Sequence, residues 1–371
     1  MTSRRFYILL ALFTISIKVQ KLPCFMYYNL GKDSYLMILF YFLVNIAGIL
    51  MAMFILKRKD KIKQIFESKK LAIQTIKRIV LFLTSVYFVF QALLLYEHIQ
   101  DLFSNTLFDN MPWWVFSLLL LFTVFYLSHT GIKNIALGGE LYVPIIFICY
   151  IVIAVLGGAH SDFSSVLPFE TISINALCDN FVKFNAWFGD FFIILFLGFN
   201  AKDFKTSKTL IIYSASVLFV AFLVVCFNGI YLNNASLQAG MISVLTERAM
   251  LGLNVGRIDW FVILITEIGV VISCGMVMFF ACQCMRQALP KIKSIYIEIA
   301  LAAVVYYFDI FYLVDLHEKI QFFYGFVSYF CIALKISFLI VLFAIALFIK
   351  SGQKKDIIKD QQKKVEYEKF I

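Results

Sequence analysis

Apolar residues arrive in this chain as long runs separated by short polar stretches, and ten such runs can be read: about 6–28, 35–56, 79–103, 113–128, 141–156, 181–199, 209–232, 258–285, 295–314 and 322–349. A helix needs about 20 mostly apolar residues to cross a bilayer, so the pattern predicts about ten membrane-spanning helices. Two runs are interrupted from within. The first reads FYILLALFTISIKVQKLPCFMYY, with Lys18, Gln20, Lys21 and Pro23 in its second half. A charge near mid-bilayer costs roughly 2.5–3.5 kcal/mol on insertion scales, and Pro23 removes a backbone donor. The sixth reads FVKFNAWFGDFFIILFLGF, with Asn185, Gly189 and Asp190 in an aromatic run and Trp187 well inside it. Gly189 permits backbone conformations that a helix does not use. Irregular backbone at membrane depth is tolerated only where protein buries it or it lines a wet cavity. Paired broken helices in corresponding positions of two halves mark the binding site of many transporters. Runs one and six open the two halves of a five-plus-five arrangement. The competing reading of the sixth run makes 185–190 the outer end of a shorter helix.

Composition agrees with membrane insertion. Of 371 residues, 62% are hydrophobic and only 15% charged, with a mean hydropathy of +0.88, values outside the range of soluble domains. The chain reads as one all-α integral membrane domain over 1–349, with a basic connector at 57–78 and a basic tail at 350–371. The net charge of +10 raises nucleic-acid binding, but the placement of the charges argues against it. With Met1 inside, 25 of the 33 lysines and arginines fall on inner segments and 4 on outer loops. That bias puts both termini in the cytoplasm by the positive-inside rule. Arg4, Arg5 and the apolar run after them resemble a signal peptide, but Lys18 and Lys21 occupy the place of a small-residue cleavage site, which predicts an uncleaved helix. The connector has apolar residues at nearly helical spacing. It reads either as an amphipathic helix beside anionic lipid or a partner, or as a solvated link.

No catalytic pattern is present: there is no GxSxG, HExxH or phosphate-binding loop, and the outer-loop serines 161, 164 and 165 read as turn residues. The eight cysteines include no CxxC pair and the four histidines are scattered, so neither a metal site nor a cofactor is expected. What remains is charge inside the runs: Lys18, Glu97, Glu140, Glu267, Glu298, Asp309 and Lys335. Several lie near run ends, from which long side chains reach the interface. Lys18 and Glu267 lie deeper, and pairing them would lower the cost of each. In sodium-coupled transporters of this design a cation sits between helices one and eight, so Lys18 is a candidate fixed charge in its place. Glu140, at the start of the fifth run, is the other coupling candidate.

Ordered motifs along the chain carry a resemblance. They are Leu22-Pro23, Gly31-Lys32-Asp33-Ser34-Tyr35-Leu36, Met111-Pro112-Trp113-Trp114, GIKNIALGGELYVPI from Gly131 to Ile145, Leu167-Pro168, Phe188-Gly189-Asp190 and Gly256-Arg257-Ile258-Asp259-Trp260. Together they resemble the GerAB-type family, the B subunits of spore nutrient germinant receptors, within the amino acid–polyamine–organocation transporter superfamily. The resemblance implies a ten-helix inverted-repeat fold that binds an amino acid between helices one, three, six and eight. It also implies assembly with an A-type membrane subunit and a C-type lipoprotein. On that reading the ligand-binding candidates are Ser16, Ile17, Lys18 and Gln20 from helix one, Gln91 from helix three, and Asn185, Trp187, Gly189 and Asp190 from helix six. The chain departs from the family in reading Ser16-Ile17-Lys18 where a small Gly/Ser pair is common, and Leu137 where an arginine is common. The alternative function is a stand-alone amino acid or amine transporter working by alternating access.

Overall fold

The computed structural model describes residues 1–19, 21–66, 71–106, 112–159, 174–201, 203–230, 258–312 and 322–343, with isolated positions at Met241, Leu245, Lys319 and Ile345. Gln20, the three outer-loop serines, most of the polar loop at 233–257 and the tail at 350–371 lie outside them.

The described residues form helices α1 (Ser3–Ser16), α2 (Leu22–Leu30), α3 (Ser34–Leu56), α4 (Lys59–Phe66), α5 (Leu71–Thr106), α6 (Trp113–Thr130) and α7 (Ile132–Ala159). They continue with α8 (Ile174–Lys183), α9 (Asp190–Asn200), α10 (Thr206–Ile230), α11 (Ile258–Ala288) and α12 (Ser294–Tyr307), and end with α13 (Phe322–Phe343). No strand occurs among the described residues. Among the described residues seven helical stretches are long and apolar enough to cross a membrane, and α8 and α9, bent by 61°, make an eighth if counted as one span. The molecule is therefore an all-α integral membrane protein.

Both interruptions seen in the sequence are real. Helix α1 stops at Ser16 and α2 starts at Leu22, with Pro23 in the first turn of α2, where its missing N–H is not needed. Gly31, at φ +65°, then marks the junction between α2 and α3, which are in contact. Gly131, at φ +86°, marks the corresponding junction between α6 and α7. The connector needs a correction. Residues 71–78 are the opening turns of α5 rather than part of a link, and α4 buries Ile62 against the bundle. The fifth run likewise extends back to Ile132, because Gly131 rather than a polar loop sets its start.

Exposed apolar residues concentrate on the outward faces, for instance Leu43 and Leu50 on α3 and Leu141, Ile148 and Val155 on α7. These faces suit hydrocarbon and need no protein cover. Inside, α11 packs against α1, α5, α6 and α7, while α3 packs against α9 and α10. Small residues bring these helices close. A Cβ at Gly275 would press on Leu127 of α6, and one at Gly198 would meet Leu56 of α3. The result brings α1 alongside α9, α10 and α11, which places the first break against the second.

Candidate functional site

The first break is a short stretch whose amides still fold back, Lys18 N–H and Val19 N–H both donating to the Ile15 carbonyl. Its chemistry lies in one side chain. Lys18, wholly buried, donates to the Asp190 carboxylate at 2.7 and 2.9 Å and to the Thr14 carbonyl at 3.3 Å. Asp190 is the first residue of α9, where a negative group meets the positive end of the helix dipole. A charge pair thus joins the two breaks across 172 positions of sequence. Removing one partner of such a buried pair typically costs about 3–5 kcal/mol.

The second break is held from outside. A 3-10 turn at Asn185–Trp187 separates α8 from α9. Lys335, buried on α13, donates to the carbonyls of Asn185 and Phe188 at 2.8 and 2.9 Å. The Gln91 amide on α5 donates to the Ala186 carbonyl at 2.8 Å. Tyr41 stacks on the Phe188 ring at 3.7 Å between centroids, and Lys18 Nζ lies 5.3 Å from the same ring. Gly189 is not needed for an unusual dihedral, since its φ is −114°. It is needed for space, because a Cβ there would collide with the Tyr87 hydroxyl. Tyr213 also stands beside Asp190.

Several buried polar atoms around the breaks have no hydrogen-bond partner: Thr14 Oγ1, Ser16 Oγ, Tyr87 Oη, Gln91 Oε1 and Asn185 Oδ1. Buried polar groups are nearly always satisfied, so such a group of orphans marks a place for water or a ligand. Lys335 lies within electrostatic range of Lys18 and Asp190, but of these two lysines only Lys18 is in hydrogen-bond contact with that carboxylate.

A second polar cluster adjoins the first. Lys21 Nζ lies 3.0 Å from Glu97, Lys319 Nζ 3.2 Å and His98 Nδ1 3.5 Å from the same carboxylate. Trp187 reaches it from the second break, its indole N–H donating to His98 Nε2 at 3.4 Å. Beyond it the Ser117 hydroxyl donates to Asp309 at 2.6 Å. Among the described residues no group of three or more His, Cys, Asp or Glu could hold a metal.

The fold therefore brings Ser16, Ile17, Lys18, Gln91, Asn185, Trp187, Gly189 and Asp190 to one buried region, while Gln20 lies outside the described residues. The pairing of Lys18 with Glu267 is replaced by the pair with Asp190. Glu267, buried on α11, stands beside Tyr150 of α7 instead. Glu140 is at the end of the bundle near Arg4 and Arg5, with contacts of 3.2 and 2.9 Å, away from Lys18. Glu97, Glu298, Asp309 and Lys335 are each buried with a partner. Lys335, Tyr87 and Tyr213 belong to the site and were not among the sequence candidates. A lone lysine in the tenth apolar run was the available signal for the first of them.

A comparison with curated proteins finds no match. The model of the spore permease family, described as "Spore germination protein", matches residues 1–318, and the chain belongs to that family.

Proposed function

We propose that the chain is the permease-like membrane subunit of a spore nutrient germinant receptor, which binds an amino acid or similar small nutrient at the paired breaks and thereby triggers germination. The observation that carries this reading is the Lys18–Asp190 contact. It ties the two interrupted helices together in the core, among orphaned polar atoms, at the position where discontinuous helices hold substrates in transporters. An amino acid's carboxylate suits a region where two lysines, Lys18 and Lys335, stand near a single acid, Asp190.

The order of elements supports a five-plus-five inverted repeat. The broken pair α1/α2 precedes α3, α5, α6 and α7, and the broken pair α8/α9 precedes α10, α11, α12 and α13. The excess of basic residues on alternate segments supports both termini in the cytoplasm. A-type and C-type receptor subunits are the proposed partners. Lysine ammonium groups occupy carbonyls of both breaks, where an ion-driven transporter would take its cation. That occupancy favours sensing over sodium-driven uptake.

The test is a thermal-shift screen of small nutrients on the full chain co-expressed with its partner subunits, paired with germination of spores carrying Lys18→Met. One nutrient class should stabilise the native assembly, and the variant should abolish both the shift and the response. Binding and germination unchanged in Lys18→Met would sink the assignment of this site. Uptake of labelled amino acids by liposomes holding the chain alone would support the transporter reading instead.

A further inference from the structure

A cavity of about 320 Å³ opens around Asn200, the last residue of α9 and the end of that half-helix farthest from Asp190. Helices α4, α5, α9, α11 and α13 wall it, and its size is that of a small-molecule site. Its polar wall consists of Lys63, Lys77, Asn200, Gln283 and Gln287: two cations and three carboxamides, with no carboxylate among the lining residues. The rest is apolar, including Phe196, Leu81, Phe338 and Leu342.

The two characters are segregated along the helices. On α5, Lys77 stands one turn before Val80 and Leu81. On α11, Gln283 and Gln287 are four residues apart on one face, as are Phe338 and Leu342 on α13. Beside the cavity, α5 exposes Ile76, Ile79 and Phe82, and α13 exposes Ile340 and Val341. These are surfaces for hydrocarbon, so the cavity is bordered by the bilayer on two of its helices.

We propose that this cavity is a binding site for an anionic membrane lipid, with the headgroup phosphate on Lys63 and Lys77 and an acyl chain along Phe196, Phe338 and Leu342. A basic pocket between spanning helices is the setting in which anionic headgroups are held. A free inorganic anion would leave the aromatic wall uncovered. A zwitterionic lipid would bring a cation to a wall with no acid to receive it. The bound lipid braces the far end of α9, the half-helix whose first residue is Asp190, and so couples bilayer composition to the paired breaks.

Full-length chain in a neutral detergent tests this with added phosphatidylglycerol, phosphatidylcholine or inorganic phosphate. Phosphatidylglycerol should raise Tm by about 2–4 °C more than phosphatidylcholine, phosphate should do nothing, and K63Q/K77Q should lose the difference. A second readout leaves the chain unaltered: the alkylation rate of Cys284, a wall residue, followed by peptide mass spectrometry. Phosphatidylglycerol should slow it roughly fivefold at a few times its Kd, with no slowing by phosphatidylcholine or phosphate. Equal effects of the two lipids in both readouts, protection by phosphate alone, or no alkylation of Cys284 under any condition would overturn the proposal.

Discussion

The two breaks solve one problem in opposite ways. An interrupted helix in a membrane leaves carbonyls and amides that lipid cannot satisfy. The first break supplies its own remedy: Lys18 lies within it, takes the Thr14 carbonyl and extends its charge to the other break. The second has its carbonyls filled by donors from distant helices, Lys335 of α13 and Gln91 of α5. One break therefore projects a charge, and the other is clamped in place to receive it. The lesson is that the first break reaches outward through its own charges, Lys18 to Asp190 and Lys21 to Glu97 of α5, whereas the second is held at three carbonyls by donors from other helices.

The largest effect should come from cutting the tie between Lys18 and Asp190. Asp190→Ala leaves the Lys18 ammonium buried without its carboxylate, at an expected cost of about 3–5 kcal/mol. Thermal unfolding of the purified chain measures it. Adding Lys18→Met should restore much of the loss, because the double variant buries no unpaired charge. If the double variant lost the sum of the two single losses, the pair would not be the link between the breaks.

Next comes the clamp. Lys335→Met strips a donor from two buried carbonyls and should cost about 1–3 kcal/mol. Its signature should be local, with faster hydrogen exchange across 184–189 and little change across 14–19. Equal acceleration at both breaks would erase the distinction between a break that carries its own donors and one that borrows them.

Gly189 sharpens the same point through packing. Gly189→Ala drives a methyl into the Tyr87 hydroxyl, and overpacking of this kind costs about 1–3 kcal/mol. Tyr87→Phe, which removes the colliding oxygen, should recover most of it. Failure of that rescue would mean that the glycine serves some need other than the close approach of α5.

The existence of the breaks was legible because each violates a steep cost: lysines and a proline, or an asparagine and an aspartate, set in apolar runs. The pairing across them was not. Lys18 and Asp190 are 172 residues apart, and nothing in local spacing ranks Asp190 above Glu267, which lies on another helix within electrostatic range of Tyr150. Lys335 was hidden for a related reason. It stands midway along the tenth run, where its charge is visible, but the carbonyls it caps lie 150 and 147 positions away. In the sequence Gly189 offers dihedral freedom, while its reason for being there, Tyr87, comes from another helix. Hydrophobic periodicity placed the helices well, since each run carries its own signal, but it missed that 71–78 and 132–140 continue the helices beyond their most apolar part.

The smallest effect separates the end of α1 from its middle. Arg5 and Glu140 meet at 2.9 Å, but their side chains are 28% and 20% exposed, and Arg4 shares the same carboxylate at 3.2 Å. Partial solvent access screens such a pair, and exposed pairs are worth about 0.2–1 kcal/mol. Arg5→Gln should therefore shift unfolding only slightly, and the shift should shrink further as salt rises. The Lys18–Asp190 pair, sealed from water, should show no such salt dependence. A salt-insensitive loss of several kcal/mol from Arg5→Gln would place the anchor of α1 at its first turns rather than at the break, and would make the Lys18 contact the secondary one.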